Sequence, residues 1–357
     1  MERLKGILEA GPDICNLHKQ LHCGEKGCES VHPAISKSIR AKERNPMSIS
    51  ETSTVTKTGR DSRTDEVSAL LVGAVDLHCH SGPAAMPRIL DHHEAMMDCA
   101  DAGFRALLYK DHYYLGVPHA VILEKLFPDS GVRLFSGLVL NNAMGGINPH
   151  AVDHAATIGA KIIWMPTVSA ANHIAQLSGQ GKTFPKTKRK MLEASPLSAL
   201  DANGAISDDA KACLDIIADA NMILAGGHLP AAELHLLFAE AKRRGVKKML
   251  VNHPTYLIGC TDEDIQRLVE VGAFIEHSIC MFADGKSKKF SADDLAHLIN
   301  VAGVDHTILS SDLGLLDNPR PVEGFRQIVR ILLDLQFSKA DIRKLVNFNA
   351  AGLLDLD

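Results

Sequence analysis

Eight short runs of apolar, β-forming residues, each followed by a stretch of 3.6-residue periodicity, predict an α/β chain whose parallel sheet is covered by helices. The pattern extends over about 290 of the 357 residues. Its strand runs are nearly all apolar, as strands buried on both faces must be. No Gly-x-Gly-x-x-Gly loop follows the first run, which weakens an open, doubly wound sheet. Count and composition favour closure into a TIM-type (β/α)8 barrel.

The first strand is expected over residues 71–80 and ends in His78 and His80. A helix near 91–102 leads to the run 104–110, one near 118–127 to 132–140, and one near 149–158 to 161–165. A long insertion at about 168–206 precedes the helix 208–218 and the strand 222–226. The sixth strand, 248–251, follows a helix over 231–244. Helices near 262–271 and 292–301 precede strands 273–276 and 307–310, and 322–335 closes the series.

Residues 1–70 stand apart as a flexible leader, because 33–68 are rich in Ser, Thr, Lys, Arg and Asp without an apolar period. Ahead of that stretch, Cys15, His18, His22, Cys23, Cys28 and His32 offer zinc-type ligands, at a spacing that fits no standard finger. A plainer reading takes Met47 as the natural start.

A formal net charge of -5 gives no electrostatic case for nucleic acid or a membrane surface as partner. No apolar run reaches the roughly 20 residues of a membrane span, and the N-terminus lacks a secretory pattern. Cys79, Cys99, Cys213, Cys260 and Cys280 fall in or beside predicted elements without regular spacing, as reduced thiols of a cytoplasmic protein would. A small-molecule substrate is the expected partner, with a homo-oligomer left open.

The polar residues gather where strands end, which is where a barrel of this kind does its chemistry. Strand one ends in His78 and His80, whose i, i+2 spacing puts both imidazoles on one face and Leu77 and Cys79 on the other. Strand two ends in Lys110, Asp111 and His112, strand five in His228, and strand six in His253. Strand seven ends in Glu276 and His277, and strand eight in Asp312. Imidazoles and a carboxylate converging on one mouth predict a divalent-metal site. Zinc is the first choice, with manganese or iron admitted by ligand type.

The pattern resembles the amidohydrolase superfamily of metal-dependent (β/α)8 enzymes. Closer still, DLHCHSGP, LNNAMGGINP, WMPTVSAANH and GGHL resemble an uncharacterised amidohydrolase-related family of unknown function, over about residues 70 to 355. The resemblance implies His78, His80, His228, His253 and Asp312 as metal ligands and a metal-dependent hydrolase as the activity, with decarboxylation as an alternative within the superfamily. Members that bridge two metals do so with a carboxylated lysine or a glutamate on strand four. Here strand four offers only Lys161, at its wrong end. Lys110 is the replacement, as a carbamate bridge, a cation over substrate, or a partner of Asp111, so one or two ions fit equally. DLHCHS and LYKDHY also resemble the PHP phosphoesterases, although the eight-unit count favours the first family. A non-catalytic metal- or ligand-binding barrel is the remaining class.

The expected chemistry is attack of an activated water on a small amide, cyclic amide or lactone. Asp312 is assigned as general base and later proton donor. Arg88 and Arg320, which follow strands one and eight, suit an anionic group because a guanidinium grips a carboxylate bidentately, with a surface ion pair the equal alternative for either. His112, Asn141, Glu276 and His277 at the strand ends are further substrate-binding candidates. The insertion, with a turn at Asn203-Gly204, is expected as a lid contributing His173 or a cation, while its basic run, Lys182, Lys186, Lys188, Arg189 and Lys190, reads first as a solvated excursion or a subunit contact.

Overall fold

The computed structural model describes residues 62–178, 187 and 189–356. The leader up to residue 61, with its Cys and His residues, and Lys182, Lys186 and Lys188 of the insertion lie outside the described residues. Eight parallel strands follow one another around a single sheet in sequence order. They are β1 (Val75–Cys79), β2 (Ala106–Tyr109), β3 (Arg133–Val139), β4 (Ile162–Trp164), β5 (Ile223–Ala225), β6 (Lys248–Asn252), β7 (Ala273–Ser278) and β8 (Thr307–Ser310). A parallel bridge from Cys79 to Leu313 and the bond from the Asp312 amide to the His78 carbonyl (2.7 Å) bring the last strand back to the first. The predicted barrel is therefore present.

Two apolar layers follow from strand alternation. Ile162 and Trp164 point into the barrel with Val75, Leu77, Ala225 and Ile308, whereas Ile163 and Leu224 pack outward under the helices. One strand breaks the rule. The β1–β2 register shifts between Asp76 and Cys79, so Leu77 packs inside while Cys79 packs outside. The expectation that Leu77 and Cys79 share a face is thus corrected. The irregularity lets His78 follow Leu77 into the interior, where a regular pleat would have turned it out.

Helices cover the outer layer. Three begin with reciprocal capping boxes: α2 (His92–Asp101) at Asp91 and Glu94, α8 (Asp262–Val271) at Thr261 and Asp264, and α9 (Ala292–Ala302) at Ser291 and Asp294. Between them run α3 (Val117–Leu126), α4 (Pro149–Thr157), α5 (Ala171–Ser178), α6 (Asp208–Asp219) and α7 (Ala231–Arg243); α10 (Pro321–Asp334) follows β8. The first helix, α1 (Ser62–Leu71), falls in the stretch that the sequence assigns to the leader and to the start of strand one. It buries Val67, Leu70 and Leu71 and packs against α10, with Arg63 reaching Asp334. Ala350, Leu353 and Leu354 near the C-terminus join the interior layer and close the barrel bottom.

The insertion contains α5 and a tight antiparallel turn in which Leu200 bridges Ile206, with Gly204 in the left-handed region. That turn is the one predicted at Asn203-Gly204. No helix among the described residues is long and apolar enough to cross a membrane. Cys79, Cys99, Cys213, Cys260 and Cys280 are buried free thiols.

Candidate metal centre

The site starts from a charged residue inside an apolar strand. Asp76 is fully buried on β1, and its Oδ1 accepts from the His78 amide (3.0 Å) and the Ser311 amide (2.9 Å). Ser311 in turn donates through Oγ to the His78 carbonyl (2.9 Å). These bonds fasten the end of β1 to the end of β8, so that two residues more than 230 positions apart meet. Ser311 stands in the sequence beside Asp312 at the end of strand eight, but Asp76 is not among the predicted site residues. The signal was available, since a carboxylate in an apolar run has to be hydrogen-bonded to be buried.

His78 Nε2 and His80 Nε2 both lie 3.1 Å from Asp312 Oδ1. Among the described residues this trio is the group whose ligand atoms all fall within 4.8 Å of one another. Each imidazole is anchored from behind. His78 Nδ1 donates to Glu276 Oε1 (2.7 Å), and His80 Nδ1 donates to the Lys110 carbonyl (3.0 Å). Arg88 Nη2 comes to 3.4 Å of that same Nδ1, but the N–H is already committed to the carbonyl, so this approach is a packing contact. With Nδ1 committed to an acceptor on both rings, the two Nε2 atoms are the ones turned to one spot beside a carboxylate oxygen, where loss of the His78 proton gives each a lone pair for a cation. Ligand atoms about 2.0–2.1 Å from a tetrahedral zinc stand about 3.3 Å apart, and the two 3.1 Å spacings match such an edge. The donor set fits a divalent cation.

The electrostatics agree. Burial drives the His80 imidazolium down, to about 3, helped by the Arg88 charge. Burial opposes a proton on His78 too, but the Asp312 and Glu276 carboxylates outweigh it and raise that group to about 9. Burial would raise Asp312, yet His78 and His80 hold its carboxyl well below the usual range. The corner thus retains positive charge despite being dry. Asp312 also adopts a left-handed backbone (φ 47°), a conformation an L-residue holds at a cost of about 1–3 kcal/mol. Gly314 beside it is obligatory, since a Cβ there would sit 1.5 Å from the His80 carbonyl oxygen.

Lys110 reaches the same corner from β2, with Nζ 2.9 Å from His78 Nε2 and 5.2 Å from the centre of the Trp164 ring. It is 1% exposed, and burial lowers it to about 8 against the pull of Asp312 and Glu276. Trp164 fills the end of β4, fully buried inside the barrel.

The remaining predicted ligands line the same mouth in a different state. His228 follows Gly227, whose left-handed turn leaves no room for a Cβ against the Met165 and Pro166 carbonyls (2.3 and 2.5 Å). Its Nδ1 is 2.7 Å from His173 Nδ1, and the two rings stack at 4.8 Å. His253, also left-handed at φ 34°, accepts from Asn252 Nδ2 (2.9 Å) and donates towards the Tyr256 carbonyl (3.3 Å). The rings of His228 and His253 are 4.9 Å apart, and His253 is 6.3 Å from His78. All three wall histidines are held neutral by burial: His173 and His253 fall to about 4, and His228 lies well below its usual value.

Other predicted residues are redistributed. His112 is in the mouth, stacked on His80 at 5.0 Å and bonded through Nδ1 to Thr167 Oγ1 (2.9 Å). Arg88 lines the mouth, and His173 arrives there on α5 as expected of the insertion. Four assignments to substrate binding need correction. Asn141 spends its side chain on the His112 carbonyl, Thr167 Oγ1, and the Thr167 and Ser169 amides, so it ties loops together. Glu276 stands behind His78, and Ser278 Oγ donates to it as well (3.1 Å). His277 alternates to the outer face of β7, where it meets α9 at the Leu298 backbone. Arg320 lies on the surface in an ion pair with Asp98 (2.7 Å). Overlooked in the sequence, Cys280, Tyr256 and Lys289 also line the mouth.

Fold and site define a (β/α)8 barrel with a His-His-carboxylate centre at the carboxyl ends of its strands. Residues 73–276 match the model of a family described as "Family of unknown function (DUF6282)", and the chain belongs to that family. No curated protein matches its sequence. Among solved structures, the fold is similar to a probable dipeptidase from Pseudomonas aeruginosa, at 11% identity and TM-score 0.57 over 82% of this chain and 96% of that one. An amidohydrolase from Pseudomonas aeruginosa is similar at 12% identity and TM-score 0.54, over 82% and 98% of the two chains. A mutant organophosphorus hydrolase from Deinococcus radiodurans is similar at 12% identity and TM-score 0.50, over 80% and 94%.

Proposed function

We propose that this protein is a metal-dependent hydrolase of amidohydrolase type, acting on a small amide, cyclic amide or lactone. One observation carries the reading: two Nε2 atoms, on rings held by acceptors behind them, each lie 3.1 Å from one carboxylate oxygen in the barrel mouth. The fold shared with an amidohydrolase and a probable dipeptidase supports it. His78, His80 and Asp312 would hold the ion, zinc by donor type, with His228 and His253 the further candidate ligands on the facing wall. Such a cation supplies Lewis-acid activation of water and of a carbonyl oxygen.

The chain's own residues do the rest. Asp312 is ionised at neutral pH, and its Oδ2 meets only the weakly donating Cys280 thiol (3.7 Å), so this atom can take a proton from the attacking water. The same oxygen then returns the proton to the leaving nitrogen or oxygen. Glu276 fixes the tautomer of His78, and Lys110 places an ammonium beside the reacting centre to meet negative charge developing on substrate oxygen. The neutral imidazoles of His112 and His173 offer hydrogen bonds to bound substrate.

The test is metal content by elemental analysis, followed by a screen of amides, cyclic amides, lactones and phosphoesters with His78→Ala as control. Carbonyl turnover that disappears with the metal in His78→Ala is expected. Turnover unchanged in that variant, or confined to phosphoesters, contradicts the proposal.

A further inference from the structure

The mouth is a cavity of about 600 Å³, a size that suits a single small ligand. Its walls are divided. Met86, Leu177, Leu257, Met281 and Leu315 make an apolar side, while Arg88 and Lys289 bring cations to the rim. The chain as a whole carries net charge -5, so a positive mouth runs against its overall balance.

Arg88 is built in, whereas most surface arginines are free to move. Its backbone bridges Leu315, and the Ile89 amide donates to the Gly314 carbonyl (2.9 Å), which pins this loop to the one after β8. Among the described residues no carboxylate forms an ion pair with it, and its Nε is buried without a hydrogen-bond partner. The Asp111 and Asp312 carboxylates bear on its charge from beyond ion-pair distance, and the side chain lines the mouth, where a ligand carboxylate can meet it. Lys289 has no carboxylate partner either; its Nζ stands 4.7 Å from the centre of the Tyr256 ring. Lys286, by contrast, is already paired with Asp317 (2.8 Å).

We propose that Arg88, assisted by Lys289, is the specificity subsite for a carboxylate on the substrate, so that the natural ligand is an acid with an apolar body. Arg88 provides a planar fork for two carboxylate oxygens, and Lys289 adds a mobile charge at the entrance. The apolar wall takes the body of the molecule. The proposal rests on the hydrolase reading only for the bond that is cleaved, so its test uses ligands with no hydrolysable bond.

Calorimetric titration of the full chain with 3-phenylpropionate and with 3-phenylpropanol compares an acid with its neutral counterpart. The acid is expected to bind at least tenfold more tightly. Arg88→Gln removes at least tenfold of its affinity and leaves the alcohol within twofold, Arg88→Lys recovers part of the loss, and Lys289→Gln costs about threefold. Thermal unfolding verifies that each variant is folded, and exposed Lys289 gives an independent arm should Arg88→Gln fail to fold. Equal binding of acid and alcohol, no acid binding up to its solubility limit, or discrimination that survives Arg88→Gln and Lys289→Gln overturns the proposal. Acid selectivity without any carbonyl turnover sinks the hydrolase reading alone; turnover without acid selectivity sinks the subsite alone.

Discussion

Two groups of histidines face each other across the mouth. In the corner of β1 and β8, His78 and His80 each turn Nδ1 to a fixed acceptor and Nε2 to the Asp312 carboxylate. On the wall of β5, β6 and α5, His228 is bonded to His173, and both nitrogens of His253 are engaged by Asn252 and Tyr256. Residue type does not separate the groups, and neutrality sets only His78 apart, since His80 and His253 are both kept uncharged by burial whereas the carboxylates beside His78 hold its proton. What separates them is the partner behind each ring. A carboxylate or carbonyl accepting from Nδ1 turns Nε2 of His78 and His80 to the Asp312 corner, whereas the wall rings are held by one another, Asn252 and Tyr256, with no carboxylate beside them.

The sharpest way to break this contrast is to remove one member from each side. His78→Ala or Asp312→Asn is expected to abolish stoichiometric metal and lower turnover on the order of 10³-fold, the several kcal/mol that Lewis-acid activation supplies. His228→Asn is expected to retain most of the metal, because the His78, His80 and Asp312 group remains intact. Elemental analysis beside kinetics reads both, and equal metal loss on the two sides would erase the distinction. Glu276→Gln probes the anchor in place of the ligand, and metal affinity should fall about 10–100-fold, measured by competition with a chelator.

Acidity sharpens the contrast further. His78 carries a proton up to about pH 9 in the metal-free protein, so a cation must displace it. Apparent metal affinity should therefore rise about tenfold per pH unit between pH 6 and 8, with proton release detectable in weakly buffered solution. Stability has the opposite origin on the wall. His173 and His253 bind protons only near pH 4 when folded, but near 6.5 when unfolded. The unfolded chain takes up more protons in that window, so stability is full above pH 6.5 and falls as pH drops towards 4, by about 1.4 kcal/mol per pH unit for each such group. Denaturant titrations across this range check the slope, and a flat profile would contradict burial as the cause. The smallest effect belongs to Arg320. Its half-exposed pair with Asp98 predicts a change in stability of about 1 kcal/mol or less for Arg320→Ala and unaltered turnover.

The barrel was legible because buried parallel strands leave near-continuous apolar runs, so strand eight and the helix after Thr261 fall where periodicity puts them. Helix α1 was less visible: its buried Val67, Leu70 and Leu71 make a short stripe at the end of a polar stretch. Strand ends announced which residues gather at the mouth, but not their orientation. Arg320 and Arg88 look alike in sequence, and only the backbone bridge to Leu315 and the nearness of Asp98 decide which one faces the cavity. His277 is adjacent to Glu276, and the pleat sends it outward. The irregularity in β1 that turns His78 inward has no local sequence mark, because the pairing it disturbs is with β2, about 30 residues away.

The most direct test is a crystal structure of the protein loaded with zinc or manganese, with the ion located by its anomalous scattering. The account predicts a peak enclosed by His78 Nε2, His80 Nε2 and the Asp312 carboxylate, with Glu276 still bonded to His78 Nδ1. A peak seated among His173, His228 and His253 instead, or metal bound in solution with no peak in the β1–β8 corner, would contradict it.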